Sequence, residues 1–290
     1  MKKLLGRTRD YLSLVRFSHT VFAMPFALAG YFIGATGPGY GFSLKTFLLV
    51  LACMVFARSA AMGFNRWADM HFDSLNPRTA VREIPSGKIT PRQALLFVIA
   101  SSVLFIVSAA LLNRLTLILS PVALIIVLGY SYTKRFTPLC HLVLGLGLSL
   151  APIGAYIAVT GSFALLPLLY SCIVLTWVSG FDIIYSLQDD QFDRETGLYS
   201  IPAVMSRGKA LAVSVVLHLI SLVLVVVAGI YGQAGFIYWT GSAIFIAMLI
   251  YQHMIVRPDD LSRVNLAFGT TNGIAGVIFG LAVVLDLLLL

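Results

Sequence analysis

Two clusters of polar residues have a spacing that could support metal-dependent chemistry. The first cluster is Asn65, Asp69 and Asp73, in the segment GFNRWADMHFD. The second cluster is Asp182, Tyr185, Asp189 and Asp193, in the segment GFDIIYSLQDDQFD. Because residues four positions apart lie on the same face of a helix, each cluster predicts one polar stripe. Asp190 stands one position off the second stripe, and we interpret it as a solvated neighbour.

Carboxylates that share one helix face repel each other, so both stripes need a compensating cation. Mg²⁺ fits, since it takes one or two carboxylates at a time and completes its shell with water and substrate phosphates. Two such sites facing each other would hold a diphosphate. The alternative is a pair of exposed acidic loops that balance nearby basic residues.

An internal repeat favours the metal interpretation. Asp69 and Asp189 are 120 residues apart, and so are Asp73 and Asp193. Each cluster closes a long apolar stretch and is followed by an Ile-Pro turn, in IPSGK at 84–88 and IPAVMSRGK at 201–209. Two unrelated acidic loops would have no reason to share these features.

Basic residues accompany the acidic clusters and are predicted to bind the diphosphate. They are Arg78, Arg82, Lys134 and Arg135. Charge-assisted hydrogen bonds from such groups stabilise phosphate oxygens. The usual excess of Lys and Arg on cytoplasmic loops explains any one of them equally well.

Arg58 differs from the other basic residues because it lies inside an apolar stretch. It stands seven residues before Asn65 and therefore shares the face of the first stripe. An arginine at such a position usually faces an internal cavity or a partner. Arg16 and His19 could line the same cavity, whereas His71, His141, His218 and His253 have no metal-site spacing and are interpreted as structural.

The elements that position these residues are predicted to be transmembrane helices. Of the 290 residues, 59% are hydrophobic and 11% are charged, far from the roughly 25% charged residues of a soluble domain. Nine stretches are long enough to span a bilayer. They are residues 19–36, 45–64, 93–112, 114–131, 139–158, 163–187, 209–232, 234–256 and 268–290. The predicted fold is one all-α polytopic membrane domain, with two pseudo-repeated halves and a last helix around a central cavity.

The charge distribution predicts the orientation of these helices. All but Lys45, Arg58 and Arg114 of the 20 basic residues fall in segments on one side, as do all acidic residues except Asp286. The positive-inside rule makes that side, which includes the N-terminus, cytoplasmic. Residues 1–18 are expected to form an interfacial segment, and 65–92 and 188–208 to form cytoplasmic catalytic loops. The net charge of +8 therefore needs no nucleic-acid partner.

Taken together, the segments NRWADMHFD and DIIYSLQDDQFD resemble the UbiA superfamily of intramembrane aromatic prenyltransferases. The segments LVRFSHTVFAMPFALAG, NPRTAVREIPSGKI, YSYTKRFTPLCH and SRVNLAFGTTNG extend the resemblance over the whole chain. The 4-hydroxybenzoate polyprenyltransferase-like branch is the most similar. One departure is visible, since many members carry a second acid directly after the asparagine, where this chain has Arg66.

The resemblance implies a nine-helix bundle, open sideways to lipid, in the inner membrane of a bacterium. It implies Mg²⁺ held by Asn65, Asp69, Asp73, Asp189 and Asp193, and transfer of a polyprenyl group from its diphosphate to an aromatic acid in quinone biosynthesis. The acceptor would be like 4-hydroxybenzoate, or of the dihydroxynaphthoate type used for menaquinone.

The roles of the remaining residues stay open at the sequence level. Asp182 and Tyr185 are the catalytic candidates: Asp182 could stabilise the prenyl cation, accept the ring proton, orient Tyr185 or pair with Arg58. Arg58, Arg16 and His19 are the acceptor-binding candidates. One alternative among membrane enzymes is a CDP-alcohol phosphotransferase, whose compact Asp signature is absent from the sequence. An alternative from another class is a secondary transporter with ionisable residues at the membrane midplane.

Overall fold

The computed structural model describes residues 10–11, 13–15 and 24–289, and within them the chain is helical. The first half contains α1 (Met24–Ala35), α2 (Leu44–Ala68), α3 (Met70–Leu75), α4 (Pro91–Ala110), α5 (Arg114–Thr133) and α6 (Cys140–Thr160). The second half contains α7 (Leu165–Ser186), α8 (Asp190–Glu195), α9 (Ile201–Val204), α10 (Arg207–Tyr231), α11 (Phe236–Ile255) and α12 (Asn272–Leu289). A 3₁₀ turn, Leu187–Asp189, joins α7 to α8, and a π-helical turn, Leu266–Thr271, leads into α12.

Seven of the described helices are long and apolar enough to cross a membrane: α2, α4, α5, α6, α7, α10 and α12. The α7 span continues through the 3₁₀ turn and α8 to Glu195, and the α12 span includes the π-helical turn before it. Two further helices match predicted spans. The described part of the first span is the short apolar α1, and α11 has 20 residues but carries Tyr, Gln and His, which lower its hydropathy. The predicted all-α multi-pass architecture is confirmed, and the count of nine depends on α1 and α11.

Side-chain caps explain why three of the spanning helices begin where they do. Ser43 accepts from the Thr46 amide at the start of α2, with Oγ and N 3.3 Å apart. Asn113 does the same for Thr116 at the start of α5, at 2.9 Å. A reciprocal pair between Thr90 and Gln93 caps α4. Each cap satisfies a backbone donor that the first helical turn leaves unpaired.

The second half packs around α7, the most buried of the spanning helices. Trp177 lies at the centre of its core and is 1% exposed, with Phe245 and Phe26 against its ring at 5.5 and 5.3 Å between centroids. The α6 and α7 backbones approach closely at Gly145, where an added Cβ would lie 2.3 Å from Ser179 Oγ. Only glycine permits that distance, which sets the register between the two helices.

Both acidic clusters lie where a spanning helix ends, as predicted, and each polar stripe contains a local break in the helix. Helix α2 stops at Ala68, and Asp69 has the non-helical angles φ −94° and ψ 6°. Helix α7 stops at Ser186, and the 3₁₀ turn carries Asp189 before α8 begins. At Asp69 the break leaves the stripe in place, because the Asp73 amide donates to the Asp69 carbonyl at 2.8 Å and Asn65 Nδ2 lies 2.9 Å from Asp69 Oδ2.

Candidate active site

The two acidic clusters meet in one polar pocket of about 290 Å³ at the ends of α2, α5 and α7. Most of the predicted site residues line this pocket. They are Arg58, Asn65, Asp69, Asp73, Arg78, Arg82, Lys134, Asp182, Tyr185 and Asp189. Asp193 is fully buried behind the pocket wall, where Ser200 Oγ donates to its Oδ2 at 2.8 Å. Arg16 and His19 lie outside the described residues.

Each acidic side chain of the two clusters, apart from Asp182, pairs with one of the four predicted diphosphate-binding residues. The pairs are Arg82–Asp73 at 2.6 Å, Lys134–Asp193 at 2.7 Å, Arg135–Asp69 at 3.6 Å, and Arg78–Asp189. Arg78 and Lys134 therefore reach acids of the second half, whereas Arg82 and Arg135 pair with acids of their own half. The arrangement brings four carboxylates and four cations to the same end of the bundle.

The carboxylates retain capacity for a metal ion. Asp73 Oδ2 is buried without a hydrogen-bond partner among the described residues. Burial raises the pKa of Asp69 to about 6, and the charge of Asp73 adds to that rise. Both observations indicate negative charge that the protein leaves incompletely compensated, which suits a divalent cation.

The carboxylate and amide groups of the pocket fit Mg²⁺ only if a substrate supplies further oxygen ligands. Among the described residues, no three Asp, Glu, His or Cys side chains form a cluster able to hold one ion by themselves. Mg²⁺ commonly binds through one or two carboxylates together with phosphate oxygens and water. Asn65 supports this arrangement, since its Nδ2 donates to Asp69 Oδ2 at 2.9 Å.

Tyr185 and Asp182 have partners that the sequence did not indicate. The Tyr185 hydroxyl accepts from Arg78 Nη1 at 2.9 Å, and its ring stacks on Phe268 with centroids 4.0 Å apart. Asp182 Oδ2 lies 2.7 Å from Nδ1 of His141. Asp182 therefore has His141 as a buried partner, in addition to the possibilities that the sequence suggested. Sequence spacing could not reveal it, because the two residues are 41 positions apart on different helices.

The interpretation of Asp190 as a solvated neighbour is wrong. It is 2% exposed and accepts two hydrogen bonds from Arg207, whose Nε and Nη2 each lie 2.9 Å from a carboxylate oxygen. Arg194 forms a second ion pair with it. The Asp190 carboxylate points away from the polar stripe, and its ion pair with Arg207 connects the second cluster to the start of α10.

A second, apolar cavity of about 350 Å³ adjoins the polar pocket. Arg58, Met62, Tyr130, Leu144 and Leu148 line both spaces and form the junction between them. The apolar cavity follows α6 from Leu144 to Ala158, a distance of about 21 Å at 1.5 Å per residue. Its shape suits a long apolar chain whose charged end lies in the polar pocket.

Comparison with known proteins agrees with this geometry. Residues 23–281 match the UbiA prenyltransferase family. The 4-hydroxybenzoate octaprenyltransferase of Aeromonas salmonicida (strain A449) is 32% identical over 251 residues, covering 85% of this chain and 84% of that protein. The enzyme of the same name from Nitrosospira multiformis is 31% identical over 245 residues, covering 84% of each chain.

Solved structures share the fold over nearly the whole chain. The apo structure of a UbiA homolog from Aeropyrum pernix K1 has a TM-score of 0.84 and 36% identity, covering 93% of this chain and 98% of that one. A UbiA homolog from Archaeoglobus fulgidus bound to GPP and Mg²⁺ has a TM-score of 0.73 and 22% identity, covering 95% and 99%.

These matches exclude the transporter and CDP-alcohol phosphotransferase alternatives. The family match covers both acidic clusters and every described spanning helix apart from the end of α12. The relatives are also matched over most of their own length. The chain belongs to the UbiA prenyltransferase family and is a multi-pass membrane prenyltransferase.

Proposed function

We propose that this protein transfers a polyprenyl group from a polyprenyl diphosphate to an aromatic acid of the 4-hydroxybenzoate type, with Mg²⁺ as cofactor. The observation that carries the proposal is the junction at Arg58 and Tyr130, where the charged pocket opens into the apolar cavity. One substrate with a diphosphate head and an apolar tail matches both spaces. The names of the relatives from Aeromonas and Nitrosospira support the choice of acceptor.

The charged residues account for departure of the leaving group. Asn65, Asp69, Asp73 and Asp189 would hold Mg²⁺, with Asp193 behind them, and bound Mg²⁺ would neutralise charge that develops on the diphosphate. Arg78, Arg82, Lys134 and Arg135 would donate hydrogen bonds to the phosphate oxygens. The apolar cavity keeps water away from the prenyl carbon while it carries positive charge.

Arg58 is the proposed partner of the acceptor's carboxylate. It lies seven residues before Asn65 on the same helix, about 10 Å further into the bundle, and it lines both cavities. The Tyr130 side chain lies close enough to interact electrostatically with Arg58. An aromatic acid held there would present its ring to the prenyl carbon just below the diphosphate. Arg16 and His19 remain predicted contributors to this site.

The site is proposed to lie on the cytoplasmic side of a bacterial inner membrane, with the N-terminus on that side, within one polytopic domain. The support is the charge distribution, since the basic residues between the spans gather at the end of the bundle that holds the pocket. Surrounding lipid would deliver the polyprenyl diphosphate. The positive-inside rule supplies the direction.

A transfer assay with a panel of acceptors tests the proposal. Purified protein would be incubated with radiolabelled polyprenyl diphosphate, Mg²⁺, and either 4-hydroxybenzoate or a dihydroxynaphthoate. Label should pass to an aromatic acid, and preference for the naphthoate would assign the enzyme to menaquinone rather than ubiquinone synthesis. Absence of transfer to every aromatic acid, with folded protein, would exclude the proposed reaction.

A further inference from the structure

A buried chain of hydrogen bonds connects the backbone of α9 to the catalytic candidate Asp182 through His141. The Ile201 amide lies 3.3 Å from His141 Nε2, and His141 Nδ1 lies 2.7 Å from Asp182 Oδ2. A backbone N–H only donates, so Nε2 accepts and the ring proton is on Nδ1. His141 Nδ1 therefore donates to the Asp182 carboxylate, and the contact with the Ile201 amide holds the ring in that orientation.

Helix packing holds this pair in place. Helices α6 and α7 run antiparallel and approach closely at Gly145 and Ser179. His141 lies about one turn before Gly145, and Asp182 lies about one turn after Ser179. Because the helices are antiparallel, the two side chains face each other about one turn away from the Gly145–Ser179 contact. The Ser179 hydroxyl also donates to the His141 carbonyl at 3.1 Å.

The pair joins a buried donor to an accessible acceptor. The His141 side chain is 3% exposed, whereas the Asp182 side chain is 21% exposed, and Asp182 lines the polar pocket. A carboxylate that is partly removed from water keeps its charge most readily when a fixed donor binds one of its oxygens. The Asp182 carboxylate thus also faces the pocket in which the reacting groups would bind.

We propose that His141 is a positioning residue that keeps Asp182 ionised and oriented to accept the ring proton of the aromatic acceptor. This inference rests on the proposed function.

In the reaction, the C–O bond to the diphosphate breaks and its electron pair leaves with the diphosphate. The acceptor ring forms a bond to the prenyl carbon. The proton on that ring carbon then passes to Asp182, the C–H electron pair restores aromaticity, and the proton later leaves to water or the departing diphosphate at the open face of the pocket.

Two substitutions of His141 test its two hydrogen bonds separately. One bond is donated to Asp182, and the other is accepted from the Ile201 amide. In His141→Asn the amide takes the place of Nδ1, so it can still donate to Asp182. In His141→Gln the amide takes the place of Nε2, so it keeps the contact with the Ile201 amide and removes the donor. If the histidine had a purely structural role, the two variants would lose activity equally, or the Gln variant would be the more active of the two.

The readout is the kinetic isotope effect on kcat with an acceptor deuterated on the ring. In the wild type, proton loss is expected to be fast and the isotope effect close to unity. His141→Gln should lower kcat by about tenfold, the effect of losing one charge-assisted hydrogen bond, and should raise the isotope effect clearly above unity. KM for the prenyl diphosphate should not change, and His141→Asn should resemble the wild type.

His218→Gln is the matched control. His218 is also buried and also bonded through both ring nitrogens, to His253 at 2.8 Å and to the Trp177 carbonyl at 3.2 Å, but it lines neither cavity. Its substitution should lower stability without an isotope effect. An isotope effect of unity in folded His141→Gln, or equal effects in the Asn and Gln variants, would overturn the inference. A wild type that transfers no prenyl group to any aromatic acid would instead refute the proposed function.

Discussion

The Arg78 guanidinium binds the Asp189 carboxylate, with Nε 3.0 Å from Oδ1, and so joins the loop after the first acidic cluster to the second cluster. Asn76 Nδ2 donates to the same oxygen at 3.0 Å. The two halves of the chain are thus connected through a residue predicted to bind metal. We expect Arg78 to exchange this carboxylate for a phosphate oxygen when a diphosphate binds, since its side chain already lines the pocket.

Removing one charge from either cluster should impair catalysis strongly. Asp69→Asn and Asp189→Asn should each lower kcat/KM by about 100-fold or more, roughly 2.7 kcal/mol of transition-state stabilisation. The reason is that each carboxylate would bind metal and each stands in a different half of the site. Steady-state kinetics on purified variants measures the effect.

Asp259→Asn is the control for these two variants, because Asp259 is an exposed acid on the loop between α11 and α12. It should retain the wild-type kcat/KM. If Asp69→Asn or Asp189→Asn is as active as this control, the assignment of that carboxylate to the metal site is wrong.

Sequence alone predicted which residues gather in the pocket better than it predicted their partners. The repeat at 120 residues placed Asp69 and Asp189 at helix ends, because apolar stretches and breaks are local properties of the chain. The pairing of His141 with Asp182 and of Arg207 with Asp190 depends on contacts between distant helices. Those contacts follow from packing, such as the close approach at Gly145, which no spacing rule encodes.

Arg58→Ala should raise KM for the aromatic acid and leave KM for the prenyl diphosphate unchanged. The guanidinium lies at the junction of the two cavities, where it would bind the acceptor's carboxylate and not the diphosphate. Arg58→Lys keeps the charge but not the bidentate geometry, so it should have an intermediate KM. A folded Arg58→Ala with an unchanged acceptor KM would remove Arg58 from the acceptor site.

The ion pair between Arg207 and Asp190 should stabilise the fold and the second cluster together. Arg207→Ala leaves the buried Asp190 with Arg194 as its remaining ion-pair partner. Because the Arg207 side chain is 38% exposed, we expect a modest loss of about 1–2 kcal/mol, or a Tm lower by about 4 °C. The Mg²⁺ concentration for half-maximal activity should also rise, since Asp189 adjoins Asp190.

Thermal unfolding in detergent measures this loss, with Lys209→Ala as the control. Lys209 is exposed on the same turn of α10, so its removal tests for a general effect of lost positive charge. Equal Tm values for Arg207→Ala and Lys209→Ala would show that the pair with Asp190 contributes no stability.

Cysteine labelling tests the orientation in the membrane. In a background without Cys53, Cys140 and Cys172, a cysteine at Lys88 or Lys209 should react with an impermeant reagent only from the cytoplasmic side. One at Lys45, at the other end of α2, should react from outside. Reaction of positions 45 and 88 from the same side would contradict the assignment of spans.

The most direct test of the account is the effect of metal removal on prenyl transfer. Purified protein would be stripped with excess EDTA, assayed with radiolabelled polyprenyl diphosphate and the preferred aromatic acid, and assayed again after Mg²⁺ is restored in excess over the chelator. The pairing of acids and bases around one pocket predicts that transfer is lost on chelation and recovered with Mg²⁺. Unchanged turnover in excess EDTA would contradict a site in which carboxylates and diphosphate share a divalent ion.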